Sequence, residues 1–219
     1  MRPDKNGATT ASGRTSDLQA KLNNRTARVG VIGMGYVGLP LAVAIAEAGF
    51  QVTGIDVDEG KVATVNRGES YVPDVQSERI ARLVTAGKGD PFVGSVSAAS
   101  RYEALVDVDA AIICVPTPLG KSREPDISHI IAATDGIAKY LRAGMLVILE
   151  STTYPGTTEE IILPRLQSSQ GRQLIAGTDF FLAYSPERID PGSRTWTVAN
   201  TPKVVGGVAP ESLEVATAL

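Results

Sequence analysis

Apolar positions along the chain fall into short runs separated by stretches with helical spacing. Val29 to Ile32, Val52 to Ile55, Asp109 to Val115, Met145 to Leu149 and Phe180 to Tyr184 are short, largely apolar segments. Such runs suit central strands of a parallel sheet, whose two faces are both covered. Phe92 to Val96 is a weaker strand candidate and Lys203 to Val205 a short last one. Between them, Leu39 to Ala48, Glu59 to Asn66, Glu78 to Thr85, Arg101 to Leu105, Ile127 to Leu141, Glu159 to Leu166 and Pro210 to Leu219 are compatible with helix. Asp58, Ser77 and Asp126 stand where N-caps are expected, because a short polar side chain there satisfies the first free amides of a helix.

Strands alternating with helices predict an α/β fold, a doubly wound parallel sheet with right-handed crossovers. Met1 to Asn24 lacks periodicity and reads as a flexible polar tail, with at most a short helical turn over Asp17 to Lys21. The expected organisation is a tail over residues 1–25, an α/β domain over 26–208, and a last helix over 209–219, interrupted at Leu219.

The first strand runs straight into Gly33-x-Gly35-x-x-Gly38, and the first helix follows without a break. In a strand, turn, helix context the first glycine makes the tight turn, the second lets backbone approach a pyrophosphate, and the third allows close helix packing. The helix N-terminus favours an anion there through its free N–H groups and its dipole. Asp56 ends the second strand, 23 positions beyond Gly33. That is the spacing of the carboxylate that binds the adenosine ribose hydroxyls, and its charge repels a 2′-phosphate, so NAD is expected rather than NADP.

Composition narrows the partners without changing this picture. A net charge of −3 offers no general attraction to nucleic acid or an anionic membrane, and no apolar run approaches the ~20 residues needed to span a bilayer. Cys114 is the sole cysteine, so no intrachain disulfide framework exists, and a cytoplasmic location is expected. It lies inside an apolar strand, where an inert buried thiol is the natural reading. His129 is the sole histidine, no metal constellation can be assembled around it, and no role is assigned to it.

Three unusual loops follow predicted strands: Pro116 to Gly120 (PTPLG), Glu150 to Thr158 (ESTTYPGTT) and Tyr184 to Gly192 (YSPERIDPG). Ligands of doubly wound folds sit beyond the carboxyl ends of the strands, so all three should gather at the edge that carries the glycine turn. Each also has a plainer use. Two prolines simply terminate a strand. Ser151, Thr152 and Thr153 suit helix capping as well as they suit phosphate or ribose. Glu187, between Pro186 and Arg188, is either a solvated loop carboxylate or an acid/base group.

Taken together, VGVIGMGYVGLPLA, CVPTPLG, ESTTYPGTT and YSPERIDPG, in this order and at these separations, resemble the amino-terminal half of the UDP-glucose/GDP-mannose dehydrogenase family. The likeness is nearest to its UDP-N-acetylhexosamine 6-dehydrogenase branch. Relatives oxidising UDP-glucose often carry threonine at the position of Leu119 and a second glutamate at that of Pro191. The resemblance implies oxidation of a sugar 6-hydroxyl to a carboxylate with two NAD, feeding surface-polysaccharide synthesis.

By the same resemblance Gly33, Met34, Gly35, Tyr36, Val37 and Gly38 hold the pyrophosphate and Asp56 the adenosine ribose. Pro116, Thr117, Ser151 and Thr152 face the nicotinamide side. Glu187 is the acid/base residue, and Arg188 suits the substrate's polar end. Relatives continue into a long helix that builds a homodimer and a second half that carries the catalytic cysteine, lysine and asparagine. Cys114 does not match the motif of that cysteine. A stand-alone NAD-binding module without catalysis, and specificity for UDP-glucose, are the alternatives.

Overall fold

A computed structural model describes residues 11–86, 94–120, 124–188, 198 and 200–219. Its centre is a seven-stranded sheet in the order β3-β2-β1-β4-β5-β6-β7. The strands are β1 (Arg28–Ile32), β2 (Gln51–Ile55), β3 (Ser95–Ala99), β4 (Ala110–Ile113), β5 (Leu146–Leu149), β6 (Phe181–Tyr184) and β7 (Gly206–Gly207). The helices are α1 (Ala11–Asn23), α2 (Gly38–Glu47), α3 (Glu59–Asn66), α4 (Ser77–Ala86), α5 (Ser128–Ala138), α6 (Leu163–Gln167) and α7 (Pro210–Ala218). The order reverses across β1, with β2 on one side and β4 on the other, so the topological switch point lies at the carboxyl end of β1, where ligands of such folds bind.

The unbroken apolar character of β4, β5 and β6 has a direct cause. Ala110, Ile112, Leu146, Ile148, Phe181 and Ala183 enter the core on one face of the sheet. Their neighbours Ala111, Ile113, Val147, Leu149, Phe180 and Leu182 enter the core on the other. Successive residues of a strand point to opposite faces, so a strand covered on both sides must be apolar throughout. Each fully buried large side chain stabilises the fold by about 1.5–3 kcal/mol.

Several expectations need correction. Residues 11–23 form a full helix rather than a flexible tail. Leu18 and Leu22, four residues apart, are buried in the core, and α1 packs along α7. Lys21 Nζ contacts Asp109 Oδ1 at 2.7 Å, and Arg14 Nη1 reaches Asp179 Oδ1 at 3.3 Å. Only two apolar residues per two turns face inward, so helical periodicity is faint in the sequence and tertiary contact supplies the stability. Residues 1–10 lie outside the described residues, as do Phe92 and Val93 of the weak strand candidate. β3 begins only at Ser95.

The last strand is Gly206–Gly207, displaced from Lys203 to Val205, and it pairs antiparallel with β6, so the sheet is not wholly parallel. A two-residue edge strand has almost no side-chain pattern to read. Thr157–Ile162 forms a π-helical turn ahead of α6. Ser77 is the first residue of α4, and its hydroxyl accepts from the Ser70 amide. Asp58 does cap α3, accepting from the amides of Gly60 and Lys61 at 2.9 and 3.2 Å. Among the described residues no helix is long and apolar enough to cross a membrane.

Candidate active site at the carboxyl edge of the sheet

The glycine turn begins where β1 ends. Gly33 adopts φ +91°, a left-handed conformation that favours glycine, and a side chain there would also stand 2.8 Å from the Cys114 carbonyl oxygen. A methyl group on Gly38 would overlap the Gly33 carbonyl oxygen. At Gly35 the situation reverses, because an added Cβ would meet no protein atom within 4 Å. Two glycines thus close the turn, while the middle one keeps open the approach to a ligand. No side chain caps α2 at Val37, which leaves the amino end of that helix for an anion.

A cleft of about 480 Å³ lies over this turn. Gly33, Gly35, Tyr36 and Val37 form one wall, Asp56 and Lys61 the second, and Cys114, Val115 and Pro116 the third. Met34 is the exception among the motif residues. Its amide donates to Asp56 Oδ2 at 2.8 Å, and its side chain is buried over Gly54, where a Cβ would meet it. It therefore shapes the turn from beneath. Gly38 likewise acts inside the turn and does not line the cleft.

Asp56 is held firmly. Besides the Met34 amide, it accepts from the Asp58 amide through Oδ1 at 2.9 Å, and Lys61 Nζ lies 3.4 Å from Oδ2. Tyr71 donates its hydroxyl to the Met34 carbonyl oxygen at 2.5 Å. Burial, then the charges of Asp56 and Asp58, keep that phenol protonated far above its usual range. The cleft also includes three residues that the sequence did not single out as binding groups: Lys61, Tyr102 and His129. Lys61 and His129 occupy the first turns of helices that follow strands, and that placement was the available signal. Tyr102 is fixed from behind by α5, where a side chain on Gly136 would strike its ring.

The other sequence candidates divide. Ser151 is buried, and its hydroxyl donates to the Val115 and Ile113 carbonyl oxygens at 2.7 and 3.3 Å. It ties the loop after β5 to the end of β4, a structural use. Thr153 and Thr157 hydroxyls lie 2.7 Å apart, and Thr157 also donates to the Tyr154 carbonyl. Thr117 is half-buried, while Thr152 is exposed in the same loop region. Neither lines the cleft over the glycine turn.

Glu187 follows β6 and is half-buried, and Arg188 beside it is exposed. The Arg188 amide donates to Glu187 Oε1 at 2.7 Å. Lys203 Nζ donates to Oε1 of Glu150, the residue immediately after β5; burial raises the Glu150 carboxyl above its ordinary range, Lys203 opposes this, and the nearby Glu187 adds to it. Cys114, which lines the cleft, is buried, and burial first, then the charges of Glu150 and Glu187, push its thiol well above the ordinary range. That environment opposes thiolate formation. Pro191 and the rest of the loop beyond Arg188 to Gly192 lie outside the described residues.

A glycine turn at the switch point, a fixed carboxylate at the end of β2 and an open cleft between them have the geometry that a dinucleotide requires. The chain's residues 27–219 match the model of the UDP-glucose/GDP-mannose dehydrogenase family, NAD binding domain. The chain belongs to this family. Its NAD-binding domain resembles UDP-N-acetyl-D-glucosamine 6-dehydrogenase of Pseudomonas aeruginosa, with 36% identity over 192 residues, covering 88% of this chain and 42% of that protein. It is 36% identical over 190 residues to UDP-N-acetyl-D-mannosamine dehydrogenase of Escherichia coli, covering 84% and 43% of the two chains. Among solved structures, NDP-N-acetyl-D-galactosaminuronic acid dehydrogenase of Methanosarcina mazei superposes with a TM-score of 0.79 at 32% identity, covering 94% of this chain and 43% of that one. The chain therefore spans about two fifths of the length of these relatives. The cofactor of the domain is NAD, and the cleft fits it: Gly35 leaves room for the pyrophosphate, and the acid at Asp56 suits an unphosphorylated ribose.

Proposed function

We propose that the chain is the NAD-binding half of a nucleotide-sugar 6-dehydrogenase that oxidises the 6-hydroxyl of a UDP-N-acetylhexosamine to a carboxylate. One observation carries the reading furthest. Glu187, on a loop more than a hundred residues beyond the glycine turn, follows β6 at the same carboxyl edge of the sheet, near enough for its charge to act on Cys114 in the wall of the cleft.

Converting the alcohol to the acid removes two hydrides and adds one oxygen from water, so two NAD are reduced and three protons are released. NAD supplies the hydride acceptor when bound. The residues of this chain do the rest of what is assigned here. The opening turn of α2 takes the pyrophosphate, with Gly35, Tyr36 and Val37 contributing backbone and Gly33, Met34 and Gly38 shaping the turn. Asp56 accepts from the ribose hydroxyls. Pro116 and Thr117, with the Ser151-Thr152 turn behind them, border the nicotinamide side. Glu187 accepts the proton of the attacking water, which needs a carboxylate held within hydrogen-bond reach. Arg188 faces the polar end of the substrate. The nucleophilic cysteine that the family resemblance implies is not Cys114, whose burial disfavours the thiolate.

The homodimer implied by the resemblance would form through the long helix with which relatives continue, and use of NAD with a UDP-sugar supports a cytoplasmic location. The decisive assay follows NADH absorbance with UDP-N-acetylglucosamine, UDP-N-acetylmannosamine and UDP-glucose, using the protein that joins this chain to its second half. Glu187→Gln should lower turnover by ~10²–10⁴ with little change in NAD affinity. Near-normal turnover would remove Glu187 from the chemistry, and oxidation of UDP-glucose alone would overturn the hexosamine reading.

A further inference from the structure

The turn that opens the NAD cleft is held at its second residue by a side chain from outside the glycine motif. Met34 is gripped in three ways. Its amide donates to Asp56 Oδ2 at 2.8 Å, its carbonyl oxygen accepts from the Tyr71 hydroxyl at 2.5 Å, and its side chain is buried over Gly54. Tyr71 reaches it from the loop between α3 and α4, 37 positions further along the chain. That loop is itself anchored. Val72 and Val75 are buried in the core, the Ser70 amide donates to the Ser77 hydroxyl at 3.0 Å, and the Ser70 hydroxyl donates to the Val72 carbonyl at 3.0 Å. Tyr71 is half-buried against the same core, so its hydroxyl is delivered to one place.

The consequence lies in the next peptide unit. The Met34 carbonyl and the Gly35 N–H belong to one trans peptide plane and point in opposite directions. With the carbonyl fixed on Tyr71, the Gly35 N–H is turned to the other side, where it has no protein acceptor among the described residues. Gly35 lines the cleft, and a Cβ added there would meet nothing within 4 Å. Glycine restrains its own φ only weakly, so without the Tyr71 contact this plane is free to rotate. A plainer use of the hydroxyl is to satisfy a carbonyl that water cannot reach. Two observations go beyond that use: the carboxylate at the other end of Met34 is the one placed for the ribose, and the peptide held is the one over which the chain leaves room for a ligand.

We propose that Tyr71 is a positioning residue for the cofactor, whose hydroxyl locks the Met34–Gly35 peptide so that the Gly35 N–H is preset to donate to the pyrophosphate. Tyr71 touches no cofactor atom itself. Ordering of the turn is completed on folding and not on binding, which spares the cofactor that cost. The role is the same whichever sugar the complete enzyme oxidises, so it stands or falls independently of the substrate proposed above.

The test compares ligands with and without a pyrophosphate on the 219-residue chain. Tyr71→Phe removes the hydroxyl and keeps the ring. Calorimetric titrations should show NAD and ADP bound ~3- to 10-fold more weakly, the range expected for one net hydrogen bond, while adenosine, which reaches only the ribose end, changes by less than ~2-fold. Unchanged affinities for NAD and ADP overturn the proposal. Equal weakening of all three ligands also overturns it, because a general disturbance of the site acts on adenosine as well. Amide NMR supplies a second measurement on the unaltered chain. Gly35 should show an order parameter near the ~0.85 of rigid backbone before any ligand is added, and its amide resonance should move with ADP and not with adenosine. An order parameter below ~0.6, or a Gly35 resonance indifferent to ADP, overturns the preset turn even if Tyr71→Phe fails to fold.

Discussion

The two halves of the sheet edge are built in different ways. On the side of β1 and β2, the site is mostly backbone: a left-handed Gly33, a Gly38 with no room for a side chain, and amides at the start of α2. On the side of β5 and β6, it is a cluster of side chains, Glu150, Glu187 and Lys203, drawn from three separate segments. A backbone site tolerates almost any neighbour but no added Cβ. A side-chain cluster tolerates small displacements but not a change of charge. The difference suits the tasks proposed for them, because a pyrophosphate needs fixed donors whereas proton exchange needs a group whose charge can change.

The sharpest way to break the comparison is Gly38→Ala. The new methyl group would overlap the Gly33 carbonyl, so the turn must open, at a cost of about 1–3 kcal/mol or more. NAD binding measured by calorimetry should be lost, while Glu150 keeps its raised titration. Retained NAD affinity would mean that the turn is not rigid and that the contrast drawn here is wrong. Asp56→Asn is the next largest. It removes the charge that accepts from the ribose and repels a 2′-phosphate, and a charge-assisted hydrogen bond contributes about 1.5–3 kcal/mol. NAD affinity should fall about tenfold or more, with weaker discrimination against NADP. Equal affinities before and after would exclude Asp56 from the site.

On the other half, Lys203→Met should leave NAD affinity unchanged and lower unfolding free energy by about 1–3 kcal/mol, the cost of stranding a buried polar partner. The lower end is expected, because the lysine side chain retains 28% exposure and Glu150 can respond by holding its proton. The smallest effect is a pH dependence. The native state raises the Glu150 carboxyl above 4.5, so it binds that proton more tightly than the unfolded chain does. The resulting stabilisation is complete below about pH 4.5 and is lost as pH rises through the native value. Urea titrations should therefore show the unaltered chain at its most stable relative to Glu150→Gln in acid, with the difference declining as pH rises. A difference that is flat across pH would mean that the native fold does not raise the Glu150 carboxyl.

How far the sequence could be read follows the same division. The glycine turn, Asp56 and the strands β1, β2, β4, β5 and β6 were legible within a residue or two, because each is specified by neighbours along the chain. Where a pattern was read as binding, the structure at times assigned it to support: the Ser151 hydroxyl bridges two strand ends, and the Met34 amide is already engaged by Asp56. Both are polar groups close to a cleft, and sequence cannot tell which side of a turn they face.

The sequence by itself determined the alternating α/β order, the glycine turn at Gly33 to Gly38 and an acid, Asp56, at the end of the second strand, since local spacing sets backbone geometry and charge. Only the tertiary structure decided that α1 is a helix, that β7 runs antiparallel, that Tyr102 and His129 border the cleft, and that Lys203 meets Glu150. α1 owes its order to burial of Leu18 and Leu22 against elements far along the chain, and β7 to a backbone partner in β6. Glu150 and Glu187, 37 positions apart, come to one sheet edge because β5 and β6 lie side by side. No periodicity records that meeting, because it is a property of the sheet order and not of either segment.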